Sequence, residues 1–380
     1  MMPTPIRPHL VVPLALPFLV IAGCDDAPAE ERGHDASDAS TADHHDAPDE
    51  QGAPIGRWEP VGRLARARFG HSATRLPDDR VLVAGGVAGV CPTDSGEALA
   101  SVERVQPDGA VIEGAPLGEA RAWHGAVALD AGRVLVAGGR RGDAPLASAE
   151  IYDVAADRWD PIAPLGVAQL TLALAPHGEG GAVSVGYDGA IEILGPDLQW
   201  RPAPIVAGAL GVPIPVALGD GRVALVGRDA SVIVSADGAS TTPLAMPEIT
   251  GDLGAASVDG GVLLVARAPT GAFTEAGPVQ SARAFFWSAG SAAASWVALG
   301  DLPFGQAAFT LVDAPTGAVF GRAGWGAWHR WAGAGWSELA ATGSAQERAL
   351  VPLSDGTVRL VGGSGNPTCA AVADVLAWSP

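Results

Sequence analysis

Short apolar runs separated by glycine- and proline-rich polar stretches recur along most of this chain. The clearest, Val81-Leu82-Val83-Ala84 before Gly85-Gly86, returns as Val134–Ala137 before Gly138-Gly139. A looser copy is Val358–Val361 before Gly362-Gly363. Each run has strand length, is continuous rather than alternating, and stops at a strand-breaking pair, which predicts short β-strands buried on both faces. With Gly85 as phase mark, equivalents fall at Gly138, Gly186, Gly227, Ala266, Gly321 and Gly362, at intervals of 53, 48, 41, 39, 55 and 41 residues. Such spacing marks an array of supersecondary units, none able to bury its own faces alone. A second mark, an apolar or Trp-bearing segment, follows near Val111, Trp159, Trp200, Thr242, Trp296 and Trp336, and Trp58 precedes the first unit. Both counts give seven.

Flanking segments repeat as well. Arg68-Phe69-Gly70-His71-Ser72 matches Arg121-Ala122-Trp123-His124-Gly125 ahead of the first two Gly-Gly pairs, and Ala149-Glu150-Ile151-Tyr152-Asp153 leads through a turn to Asp157-Arg158-Trp159. Arg and His on a first strand, Gly-Gly after a second, Tyr on a third and Trp on a fourth resemble a kelch repeat. The resemblance covers about 57–380. It weakens in units three to six, where the second Gly becomes Tyr187, Arg228, Arg267 and Arg322. It implies an all-β fold, a seven-bladed β-propeller of four-stranded blades. In that fold His71, Gly85, Gly86, His124, Gly138, Gly139, Tyr152, Trp159, Gly362 and Gly363 form the repeat framework. The C-terminal Asp374–Pro380 matches a third strand, with Trp378 near the place of Tyr152, and lacks a fourth. Arg57-Trp58-Glu59-Pro60 parallels Arg158-Trp159-Asp160-Pro161, so the N-terminal strand is expected to complete the last blade and close the ring.

The first 55 residues have a different composition. Residues 1–23 pair Arg7 with the apolar stretch Leu10–Ala22, which Pro13 and Pro17 interrupt and which is short for a membrane span. It ends in Val20-Ile21-Ala22-Gly23-Cys24, which resembles the lipobox of bacterial lipoproteins and implies cleavage before Cys24 and acylation of that residue. Several acyl chains on one residue anchor stably, at about 0.8 kcal/mol per buried methylene. The stretch 24–55 is acidic and nearly free of large apolar side chains. It reads as a solvated tether, with His34, His44 and His45 incidental to it. The propeller then occupies 56–380. The expected address is extracytoplasmic, at the outer membrane or cell surface, with the inner membrane as the alternative because Asp25 follows the cysteine.

A formal net charge of −19 argues against nucleic acid as a partner, and the membrane is engaged through the anchor alone. Cys91 and Cys369 lie in equivalent loops of units one and seven. In a closed ring within an oxidising compartment they are expected to form a disulfide, two free surface thiols being the alternative.

Candidate chemistry is sparse. His71 and His124 recur at the repeat period, which favours a framework role over metal ligation. Kelch-like propellers include galactose oxidase, whose copper site needs two Tyr and two His. Only Tyr152 and Tyr187 are present here, so neither metal nor cofactor is expected. No Gly-x-Ser-x-Gly run supports a serine hydrolase. Trp325, Trp328 and Arg330 exceed framework needs and suit stacking on a ligand, with compensating packing as the competing explanation. The expected function is a monomeric, non-catalytic module binding an envelope protein or glycan, with no catalytic residue assigned. The alternative is a carbohydrate-active enzyme of epimerase or lyase type, with its site at the channel mouth.

Overall fold

Each apolar run forms the second strand of a four-stranded antiparallel sheet. The computed structural model describes residues 54–89, 97–205, 210–258, 261–274, 277–289, 295–302, 309–323, 327–332, 335–340, 345–346, 349–365 and 370–379. All lie in one of two compact units, Pro48–Pro380. The signal segment, Cys24 and the tether up to residue 53 lie outside the described residues, as do Cys91, Trp325 and Cys369.

Among the described residues, seven of the sheets are four-stranded. Blade one, for example, is Ser72–Arg75, Val81–Ala84, Val102–Val105 and Val111–Gly114, and blade two is Gly125–Ala128, Arg133–Ala137, Ala149–Asp153 and Arg158–Ile162. First strands meet in sequence order around the ring. Ser72–Arg75 touches both Gly125–Ala128 of blade two and Ala349–Pro352 of blade seven, so the circle is complete. The fold is a seven-bladed β-propeller.

The continuous apolar character of the second strands now has its reason. Val81 and Val83 pack towards blade seven, whereas Leu82 and Ala84 pack towards blade two. Val134 and Val136 face blade one while Leu135 and Ala137 face blade three. The period of two is intact, but both sides of the pleat are core, so polar alternation is absent. Each of the seven interfaces between neighbouring blades holds its own apolar cluster.

The ring is closed by the strand Arg57–Arg63, which pairs antiparallel with Asp374–Ser379 and sets Trp58 opposite Trp378. Blade two has the same register, with Tyr152 opposite Trp159. Trp378 is fully buried, and its indole donates to the Ile55 carbonyl at 3.2 Å. Gly56 beside it has φ +67°, and a β-carbon there would run into the Trp378 ring. Indoles on or beside fourth strands latch neighbouring blades. Trp159 donates to the Ala115 carbonyl (2.9 Å), Trp58 to that of Ala340 (2.8 Å) and Trp296 to that of Ala245 (2.5 Å).

Blade five departs from the expected strand ends. Its second strand passes the Ala266 mark and runs from Gly261 to Thr274, paired with Gly277–Ser288 as an extended hairpin. Arg267 stands where blades one, two and seven place a second glycine, and here the ladder continues through it. The hairpin is irregular only between Pro269 and Phe273. In blade six the strand Val319–Ala323 likewise passes through Gly321.

Candidate functional site

The connections between second and third strands, and those between successive blades, share one face of the propeller. On that face the Gly-Gly pairs join neighbouring blades. The N–H of the second glycine donates into the next blade: Gly363 to Arg68 O, Gly86 to Arg121 O and Gly139 to Gln169 O, at 2.9–3.0 Å. All six glycines of the three pairs have positive φ. A β-carbon on Gly85 would lie 2.4 Å from Arg121 O and 3.0 Å from the His124 ring. The histidines fill the space the glycines leave. His124 rests its Cβ over Gly139 of its own blade and its ring against Gly85 of the preceding one, and its Nε2 bonds Ser72 Oγ at 2.9 Å. His71 lies in the same way over Gly86 and against Gly362. Burial, then the charge of Arg68 beside His71 or Arg121 beside His124, brings each imidazole down to about 3. Both are therefore neutral wedges at physiological pH.

Beneath this layer lie two equivalent clamps. Arg121 is fully buried. Its guanidinium donates to Gly138 O (2.8 Å), Ser148 O (2.9 Å), Ser148 Oγ (2.9 Å) and Glu150 Oε1 (2.8 Å). Arg68 repeats the pattern on Gly85 O, Ser101 O, Ser101 Oγ and Glu103 Oε1. The carboxylates also accept backbone N–H groups from the incoming linker, Ala65 on Glu103 and Gly118 on Glu150. A fork-shaped cation whose two terminal nitrogens make four hydrogen bonds is what makes burial of such a pair tolerable.

Above the clamps, the loops of blades seven, one and two form a continuous outer layer. Its parts are a three-stranded sheet of Ala345–Gln346, Ser364–Gly365 and Ala370–Ala371, and the ladders Val87–Ala88 with Glu97–Ala98 and Arg140–Arg141 with Ala144–Pro145. Ala371 N donates to Gly89 O at 2.8 Å, and bridges join Phe69 to Val87 and Ala122 to Arg140. Trp123 lies in this layer, half-buried beside the cluster of Phe69, Val87 and Ala122. The Phe69 ring meets it edge-on at 5.8 Å, and the Arg140 guanidinium lies 4.2 Å from its ring centre. Trp123 has φ +50°, and the blade-one counterpart at +62° is Gly70. A bulky side chain in this left-handed region costs about 1–2 kcal/mol that a glycine avoids. In the sequence, Trp123 belongs to the repeated segment and does not stand out from it by spacing. The available signal was tryptophan aligned with a glycine.

The residues expected to stack on a ligand are placed differently. Trp328 is 5% exposed, packed between blades six and seven with Phe320, Leu339, Leu360 and Trp378, and Arg322 stacks 4.7 Å from its ring. It offers no open face, because the closing blade covers it. Arg330 is half-buried on His329–Trp331, opposite Phe320 and Ser337. Tyr152 is committed to its blade: its hydroxyl donates to Asp157 at 2.6 Å, and burial with that carboxylate raises it to about 12. Among the described residues, no three His, Cys, Asp or Glu side chains are grouped to hold a metal ion.

Residues 124–166 match the Kelch motif. They span the His124 wedge, the second Gly-Gly pair, Tyr152 and Trp159. The chain is a seven-bladed propeller, and its second blade matches the Kelch motif. No curated protein matches it in sequence. Among solved structures it is similar to a fungal alcohol oxidase of the AA5 family in complex with copper, at TM-score 0.63 and 14% identity over 86% of this chain and 76% of that one. It also resembles a streptogramin B lyase (TM-score 0.60, 10% identity, 85% and 97% covered) and the virginiamycin B lyase of Staphylococcus aureus (0.59, 9%, 86% and 100%). At these identities the likeness is one of fold alone.

Proposed function

We propose that this chain is a lipid-anchored, extracytoplasmic propeller that binds an envelope protein or glycan without catalysis, through the loop layer over blades seven, one and two. The observation that carries this reading is Trp123, held at φ +50° beside Arg140 where the equivalent position of blade one needs only a glycine. Strained side chains of this kind collect at functional sites. Tryptophan with arginine is also the pairing most used to anchor a partner. The ionisable groups beneath are consumed by the Arg68–Glu103 and Arg121–Glu150 clamps, which leaves the layer itself to meet a ligand. Anchoring through Cys24, with 24–55 as spacer, would hold the propeller near a membrane.

The test is capture of partners from native envelope with the detergent-extracted full chain, comparing the parent with Trp123→Gly. The glycine restores what blade one carries, so the variant is expected to fold and to lose capture. Capture undiminished by Trp123→Gly would move the binding face elsewhere. Prior protease or periodate treatment of the envelope separates a protein partner from a glycan.

A further inference from the structure

Blade three repeats the clamp of blade two with its cation missing. Leu117-Gly118-Glu119-Ala120-Arg121 aligns with Leu165-Gly166-Val167-Ala168-Gln169, and Glu150 aligns with Glu192. The backbone half of the clamp is kept: Gly166 N donates to Glu192 Oε2 at 2.8 Å, as Gly118 N does to Glu150 Oε2 at 2.7 Å. The other half is not. Glu192 is 6% exposed, and its Oε1, where Glu150 receives Arg121, is buried without a hydrogen-bond partner among the described residues. Gln169 is too short to replace the guanidinium. Its Nε2 lies 3.5 Å from Ser184 Oγ, and its Oε1 is also without a partner there.

Beside this carboxylate is a cavity of about 330 Å³. Its walls are glycine, alanine, valine, isoleucine, leucine and proline, among them Gly166, Ile191, Ala203, Ile205 and Leu210, and Glu192 is its one polar side chain among the described residues. Gly166 keeps the wall thin at the carboxylate, since a β-carbon there would come within 3.1 Å of Oε2. An apolar chamber of this size with one oriented polar group has the make-up of a small-molecule site.

We infer that this cavity binds an organic cation with an apolar body, its guanidinium or ammonium group pairing with Glu192 as Arg121 pairs with Glu150. A buried carboxylate without a counter-charge is strongly unfavourable, and a ligand cation relieves it. The enclosure of Oε1 requires the cation to shed water, which favours the weakly hydrated, forked guanidinium over the ammonium. The site does not rest on the loop-layer reading, since it uses neither Trp123 nor the loops above blades seven, one and two. The cation's source is either a free small molecule or an arginine side chain of a peptide.

The test is calorimetric titration of the detergent-solubilised full chain with benzylguanidine, benzylamine, benzyl alcohol and an arginine-containing peptide. Saturable one-site binding is expected for benzylguanidine, weaker binding for benzylamine, and at least tenfold weaker binding for benzyl alcohol. Gln169→Arg supplies the missing cation from within, as blades one and two do, and should reduce benzylguanidine affinity at least tenfold. Glu192→Gln should do the same. If Glu192→Gln does not fold, Gln169→Arg decides alone. Equal affinity for benzylguanidine and benzyl alcohol, or parental affinity in a folded Gln169→Arg, overturns the proposal. Peptide binding tighter than benzylguanidine assigns the cation to a protein partner, and the reverse to a free small molecule.

Discussion

Blades two and three hold a glutamate in the same register, accept the same linker N–H on it, and differ in what faces its second oxygen. In blade two that is Arg121, with four hydrogen bonds and no exposure. In blade three it is Gln169, and a cavity lies alongside. One substitution separates a closed structural joint from an open, charged recess. The framework position is fixed by strand pairing, so a repeat can give up its cation without giving up its fold. Degeneration of a repeat is thus one way in which a propeller acquires a site.

The comparison is broken most severely by removing the cation where it is used. Arg121→Ala leaves Glu150 buried and unpaired and should cost about 3–5 kcal/mol in urea unfolding. Gln169→Ala in blade three, which disturbs no ion pair, should cost far less. Equal losses would mean that the two blades are not distinguished by charge. Gly85→Ala should cost about 2–3 kcal/mol, from the left-handed φ of +65° and the approach to Arg121 O. Gly211→Ala, at φ +65° with open space around it, should show only the backbone part, about 1–2 kcal/mol.

The pH dependence of stability sharpens the same contrast, because the buried histidine wedges belong to blades one and two. His71 and His124 are held down to about 3 in the folded chain, against an ordinary value near 6.5. Between those values the unfolded chain binds protons that the folded chain refuses. Stability is therefore whole above about pH 6.5 and falls as pH drops towards 3, by up to about 1.4 kcal/mol per pH unit for each histidine. His124→Gln should remove one histidine's share of that slope in melting curves from pH 7 to 4. An unchanged slope would show that His124 is not a neutral wedge. The smallest effect expected is from Glu192→Gln, within about 1 kcal/mol of the parent or stabilising, since it removes an uncompensated charge and keeps an acceptor for Gly166 N.

Much of the fold was legible because its constraints are local and repeat. The Gly-Gly pairs mark where a neighbouring backbone passes too closely for a β-carbon, and Trp58 and Trp159 share flanking residues because they fill equivalent strand positions. What escaped depends on partners supplied by another part of the ring. Trp328 reads as surplus until blade seven is laid over it. The clamp joins Arg121 to Glu150 across a spacing that carries no periodic signal of its own. The loop layer arises from contacts such as Ala371 to Gly89, between segments at opposite ends of the propeller sequence. The cavity becomes visible only when Gln169 is compared with Arg121 in space.

Ring closure has a consequence for synthesis. Arg57–Arg63 leaves the ribosome first among the blade strands, yet its partner Asp374–Ser379 leaves last. At translation rates of about 5–20 residues per second, that strand waits roughly a quarter of a minute to a minute with no ladder to join. An idle strand invites pairing with other chains, and its make-up answers that hazard. Pro60 cannot donate to a ladder, and Arg57, Glu59 and Arg63 place charge along it. The closing strand is thus also a sequence built to remain solitary until its partner strand has been made.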